Sequence, residues 1–177
     1  LPIYLGLMSQ EEFGEFSFIT ILISPLFLIV SFSLYVPFIR NFCAVNQKSK
    51  DTLVSSIFNA VFIWLIVIDI LLLLLKPLII NHYIDLFHIS NLSDEKYYLA
   101  ILLINTGTIL LYCYSLLIGR KSTKEIVVFM LMKFIVISGS SLAFIYFELL
   151  GDETVLNRLF GIFSAELIIA LIYIYVY

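Results

Sequence analysis

The sequence predicts an all-α, polytopic membrane protein with five transmembrane helices, and three observations carry that expectation. Hydrophobic residues make up 62% of the chain and charged residues 13%, against about 45–50% and about 25% in soluble domains. The mean hydropathy is +1.10. The apolar residues gather into long runs, each enough to cross a hydrocarbon core of about 30 Å, with short charged connectors between them. With so little polar cover, 177 residues cannot enclose one water-soluble core. The solvent must be lipid.

Taken in order, the first span is expected over about 16–39. It contains Pro25, which removes a backbone donor and is expected to kink the helix. Arg40 is expected to end it, and NFCAVNQKSKD then reads as a polar turn with Lys48 and Lys50. The second span is expected over about 52–75, with Asp69 inside it and Lys76-Pro77 at its exit. A loop from Asn81 to Lys96 follows. The third span, about 97–118, carries the polar cluster Asn105-Thr106-Gly107-Thr108 and ends at Gly119-Arg120-Lys121. The fourth, about 126–147, contains Lys133 and the small residues Ser138-Gly139-Ser140-Ser141. The fifth, about 159–177, contains Gly161, Ala165 and Glu166. Small residues four apart favour close helix approach in lipid.

The connectors alternate in sign. Arg40, Lys48 and Lys50 fall in one, and Arg120, Lys121 and Lys124 in another. The first, third and fifth connectors, which flank these two, hold Glu11, Glu12, Glu15, Asp85, Asp94, Glu95, Glu148, Asp152 and Glu153, with only Lys76, Lys96 and Arg158 in answer. Counting Lys and Arg places turns 40–51 and 119–125 in the cytoplasm. Leu1 is then external. The chain opens without Met and closes inside an apolar run at Tyr177, so it reads as a partial N-terminal transmembrane lobe. One further helix is expected before residue 1.

Several function classes are set aside. A net charge of −3 with no basic stripe offers nothing to nucleic acid. Cys43 and Cys113 lie in or beside apolar spans without a CxxC, and His82 and His88 read as solvated loop residues without ligand spacing. No cofactor or metal is expected. An enzyme would need a nucleophile–base pair or a metal constellation, and neither pattern is present.

The stretch Ser9-Gln10-Glu11-Glu12-Phe13-Gly14-Glu15-Phe16, preceded by Pro2, resembles the first external loop of bacterial oligosaccharide flippases. These belong to the superfamily of multidrug, oligosaccharidyl-lipid and polysaccharide exporters. Arg40 in SFSLYVPFIRNF falls where that family commonly has an arginine, whereas Ser33 stands where it often has glycine. GRKSTKEIV looks like the family's basic turn between its fourth and fifth helices, and LFGIFSAELIIALI like the start of its sixth. The resemblance covers essentially the whole chain. It implies one six-helix lobe of a two-lobed transporter in the bacterial inner membrane, working by alternating access. The implied cargo is an undecaprenyl-diphosphate-linked oligosaccharide for O-antigen, capsule or exopolysaccharide synthesis. The implied partners are that lipid-linked oligosaccharide, membrane lipids and the C-terminal lobe. A drug or cation antiporter of the same superfamily, or a non-functional truncated remnant, are the alternatives. Under the resemblance Gly14 supplies a tight turn into the second helix, and the glutamates around it serve topology.

Charges within the spans are the candidates for chemistry, because burying one in lipid costs about 2.5–3.5 kcal/mol on insertion scales. Lys133, about 12 Å deep at 1.5 Å per residue, reads either as a cavity cation for the diphosphate or as a lysine snorkelling to the headgroups. Arg40 reads as a second cavity cation or as a topology anchor. Asp69 and Glu166 read as ion-coupling carboxylates or as members of a structural ion pair. Pairing among Asp69, Lys133 and Glu166 is an expectation that depends on which helices touch.

Overall fold

A computed structural model describes residues 6–31, 35–87 and 93–176. Helices account for nearly all of them: α1 (Gln10–Ser31), α2 (Tyr35–Ala44), α3 (Gln47–Phe87), α4 (Asp94–Gly119), α5 (Thr123–Tyr146) and α6 (Thr154–Val176). Among the described residues there is no strand. Five helices are long and apolar enough to cross a membrane: α1, α3 over Ser49–Asn81, α4, α5, and α6 over Thr154–Tyr175. The protein is all-α with the character of a multi-pass membrane protein. Pro2, Ser33 and His88 lie outside the described residues, as does the side chain of His82.

α1 begins at Gln10, before the apolar run, because Ser9 and Glu12 close a reciprocal cap. The Ser9 amide donates to Glu12 Oε2 at 2.6 Å, and the Glu12 amide donates to Ser9 Oγ at 3.2 Å. This S-x-x-E arrangement satisfies two donors that a helix start leaves orphaned. Glu11 and Glu12 also lie in the first turn, where the helix dipole favours them. Gly14 therefore makes no turn into the helix. It lies inside α1, and a Cβ there would meet nothing within 4 Å. The helix runs unbroken through Pro25. The Trp64 indole of α3 donates to the Val30 carbonyl at 2.9 Å, tying α3 to α1.

Over the described residues the expected first span falls in α1 and α2, and Arg40 lies within α2 rather than at its end. α2 buries Phe38 and Phe42, four apart on one face, against Tyr112 and Leu116 of α4. Its other face carries Arg40, Asn41 and Cys43, all exposed. The polar turn after it shrinks to Val45 and Asn46. α3 follows and runs 41 residues, through Lys76-Pro77 rather than ending there. Tyr97 of α4 donates to the Leu72 carbonyl at 2.7 Å, next to Leu73, whose intrahelical donor Pro77 lacks. Lys76 pairs with Asp94 at 2.7 Å and sits 4.5 Å from the Tyr98 ring. These ties hold α3 to α4 across the proline.

α4 is the centre of the fold. Of its most apolar window 61% is buried inside the protein, against 11–44% for the other four spans. One face packs Leu99, Ala100 and Leu103 with Ile19 of α1 and Leu156 and Leu159 of α6. A second packs Ile104, Tyr112 and Leu116 with α2 and with Val61 and Leu65 of α3. A third packs Leu110, Cys113 and Leu117 with Phe129 of α5 and Ile169, Ala170 and Tyr173 of α6. Its small hydroxyls stay satisfied locally: Thr108 and Ser115 each donate to the carbonyl four residues back at 2.7 Å.

The two small-residue clusters meet each other. A Cβ on Gly161 of α6 would lie 2.7 Å from Ser141 Cα of α5, so only glycine permits this backbone approach. Ser140 Oγ donates to the Gly161 carbonyl across the same contact. The loop before α6 is held by Asn157, 1% exposed. Its amide donates to Gly151 O at 2.7 Å and Glu153 O at 3.1 Å, and its oxygen accepts from the Leu150 amide at 2.9 Å.

Acidic and basic connectors separate to opposite ends. At one end Lys96 of α4, with its side chain only 9% exposed, pairs with Glu15 of α1 at 2.8 Å and Glu153 before α6 at 3.5 Å. The Arg158 guanidinium stacks 3.5 Å from the Phe16 ring. At the other end Phe42 of α2 packs on Gly119, and Lys50 of α3 lies 5.0 Å from the Phe42 ring. The basic turns after α2 and after α4 thus share one end.

Candidate functional site: a cleft between four helices

Lys133 and Glu166 come together at mid-span. Lys133 is the eleventh residue of α5 and Glu166 the thirteenth of α6, and the close α5–α6 contact through Gly161 sets their neighbouring faces in register. Lys133 Nζ lies 3.9 Å from Glu166 Oε1, the lysine side chain 38% exposed and the glutamate 11%. The pair is loose: the cation faces an opening, and the carboxylate is set into protein. Its other oxygen accepts from Thr106 Oγ1 of α4 at 2.8 Å. The adjacent Gly107 leaves room for it, since a Cβ there would lie 3.2 Å from the Phe27 ring and 4.0 Å from Glu166 Oε2.

These residues line an open cleft of about 490 Å³ between α1, α4, α5 and α6. Phe16, Ile23, Phe27 and Leu28 of α1 make one wall, Leu103 and Gly107 of α4 the back, and Leu159 and Ile162 of α6 the other wall. The lining is mostly apolar. Thr20 and Ser24 add hydroxyls that already donate to Phe16 O and Thr20 O at 2.8 Å. Among the described residues, Lys133 and Glu166 are the only charged side chains that line it.

Asp69 does not join them. Half-buried on α3, it accepts from Asn105 Nδ2 at 3.0 and 2.8 Å, while Asn105 Oδ1 is buried without a partner among the described residues. Asn105 and Thr106 are consecutive on α4, so the Asp69 and Glu166 carboxylates meet different faces of the central helix at one depth. Of the three pairings expected from the sequence, only Lys133 with Glu166 occurs. Arg40 is exposed on α2 near the basic end and does not line the cleft.

Sequence reasoning did not assign roles to Asn105, Thr106 and Gly107, although their polar cluster stood out in an apolar span. Nor did it place Thr20, Ser24 or Phe27. The signal available was the cluster itself: a polar group in a membrane helix needs a partner, and the buried carboxylates needed donors. Among the described residues no three His, Cys, Asp or Glu side chains are grouped to hold a metal ion. Comparison with protein-family models, curated proteins and solved structures finds no match for this chain.

Proposed function

We propose that this chain is a transmembrane lobe of a bacterial transporter that moves an undecaprenyl-diphosphate-linked oligosaccharide across the inner membrane. In this reading the cleft is one lobe's share of a central cavity, completed by a C-terminal lobe and worked by alternating access. The observation that carries it is the loose Lys133–Glu166 pair at 3.9 Å, with the lysine turned toward a 490 Å³ opening. A diphosphate cannot cross hydrocarbon without cationic partners, and a cation held at that distance is free to exchange a carboxylate for a phosphate oxygen. Glu166 then serves as the resting counter-ion, fixed by Thr106. The basic turns face the cytoplasm by the positive-inside rule.

The test is Lys133→Ala and Lys133→Arg in cells making the surface polysaccharide, at matched protein levels. Alanine is expected to reduce the polysaccharide and arginine to restore much of it. Unchanged output with alanine would overturn the reading. A drug or cation antiporter is the second reading, favoured by the half-buried Asp69 and the buried Glu166 carboxylates. It predicts that Asp69→Asn abolishes cation efflux while Lys133→Ala leaves it intact. Glycosyltransferase genes beside the coding sequence favour the first reading, and drug-efflux genes the second.

A further inference from the structure

The basic end contains a groove that the transport reading does not use. It encloses about 610 Å³ where α2 and the start of α3 meet the α4–α5 turn. Lys50, Arg120 and Lys121 line it, opposed by one carboxylate, Asp51. Phe42 forms its floor, seated on Gly119, where a Cβ would lie 2.8 Å from the Phe42 ring. Lys50 Nζ extends over the same ring at 5.0 Å.

The turn itself supplies a second observation. α4 ends in a Schellman closure, with the Lys121 amide donating to Ile118 O at 2.9 Å and the Ser122 amide to Leu117 O at 3.4 Å. That closure puts Lys121 at φ 56°, a left-handed conformation that glycine adopts at lower cost. Folding alone favours glycine there, yet the position holds a cation at the groove wall. The groove also sits where two apolar spans end, and Val127 and Val128 of α5 stand exposed one turn beyond it.

We propose that this groove binds the phosphate-bearing headgroup of an anionic membrane lipid. Its lysines and arginine meet the phosphate oxygens, and the exposed start of α5 receives an acyl chain. Basic pockets between membrane helices suit such headgroups, and cations gathered near an anionic leaflet each add to the attraction. The lipid's own tail places the phosphate at this depth, where a free ion gains no such anchoring. The inference stands apart from the transport reading, since neither Lys133 nor the cleft enters it.

The test uses the whole chain in nanodiscs of phosphatidylcholine doped with phosphatidylglycerol, with retained lipid counted by native mass spectrometry. The wild type is expected to keep phosphatidylglycerol in preference to phosphatidylcholine. Lys50→Gln and Lys121→Gly are each expected to weaken that retention about five-fold. Lys121→Gly suits the turn, so loss there does not reflect misfolding. Lys124→Gln, outside the groove, is expected to change nothing. Equal retention in all variants, or an equal loss with Lys124→Gln, would overturn the assignment. So would displacement of phosphatidylglycerol by millimolar inorganic phosphate, which would give the groove to a free ion.

Discussion

Thr106 and Lys96 show two ways in which single polar side chains hold apolar helices together. Thr106 donates to a carboxylate that lipid could not solvate, and Thr106→Val keeps the shape while removing the donor. We expect it to lower stability by about 1 kcal/mol, the scale of interhelical hydrogen bonds in membranes, read as thermal unfolding in detergent. Lys96 is nearly enclosed and faces two glutamates, of which Glu153 is 58% exposed. Lys96→Met should cost about 1–3 kcal/mol, below the value for a fully buried pair because water screens part of it. Adding Glu15→Gln should recover some of that loss, and a double-mutant cycle measures the coupling. Both roles were invisible in sequence. Thr106 and Lys96 each looked like part of a local cluster, and their partners lie 60 and 81 positions away.

At the scale of helices, the α5–α6 contact depends on one missing side chain. Gly161→Ala sets a Cβ 2.7 Å from backbone that cannot rotate away, and is expected to cost about 1–3 kcal/mol as overpacking. Gly139→Ala has open space at its Cβ and is the matched control, expected to be neutral or stabilising by thermal unfolding. The extents of α4 and α5 were legible within a few residues because charges bracket their apolar runs, whereas α6 begins at Thr154, ahead of Arg158 and of its expected start near 159. α1 and α3 were not legible, since hydropathy measures what lipid will accept and not where hydrogen bonding stops. Gln10–Glu15 and Gln47–Asp51 are polar but helix-compatible, and Ser9 and Glu12 cap the first of them. Gly161 and Ser138–Ser141 each stood out as small-residue clusters, but periodicity could not say that they faced each other.

For the whole molecule, the separation of charge was the most legible property, because it requires only an even count of crossings between like connectors. Cys43, exposed at the basic end, gives a direct check on orientation. A membrane-impermeant maleimide should label it in inside-out vesicles and not in intact spheroplasts, while Cys113, buried in α4, should stay unlabelled in both. Labelling from outside would overturn the orientation proposed from the positive-inside rule. The central place of α4 was not legible. Its window is less apolar than that of α3, 1.9 against 2.7 in mean hydropathy, and only the assembled helices explain why: protein covers its polar residues in place of lipid.

That cover arrives late. Glu166 lies 60 residues after Thr106, so at about 5–20 residues per second roughly 3–12 s of synthesis separate them. Through that interval α4 has left the ribosome with the face that meets α5 and α6 bare, leaning on α1, α2 and α3 alone. A wall that carries polar side chains is thus the one that must wait for its neighbour, and a ribosome stalled in the α5–α6 loop would hand the membrane its most vulnerable intermediate.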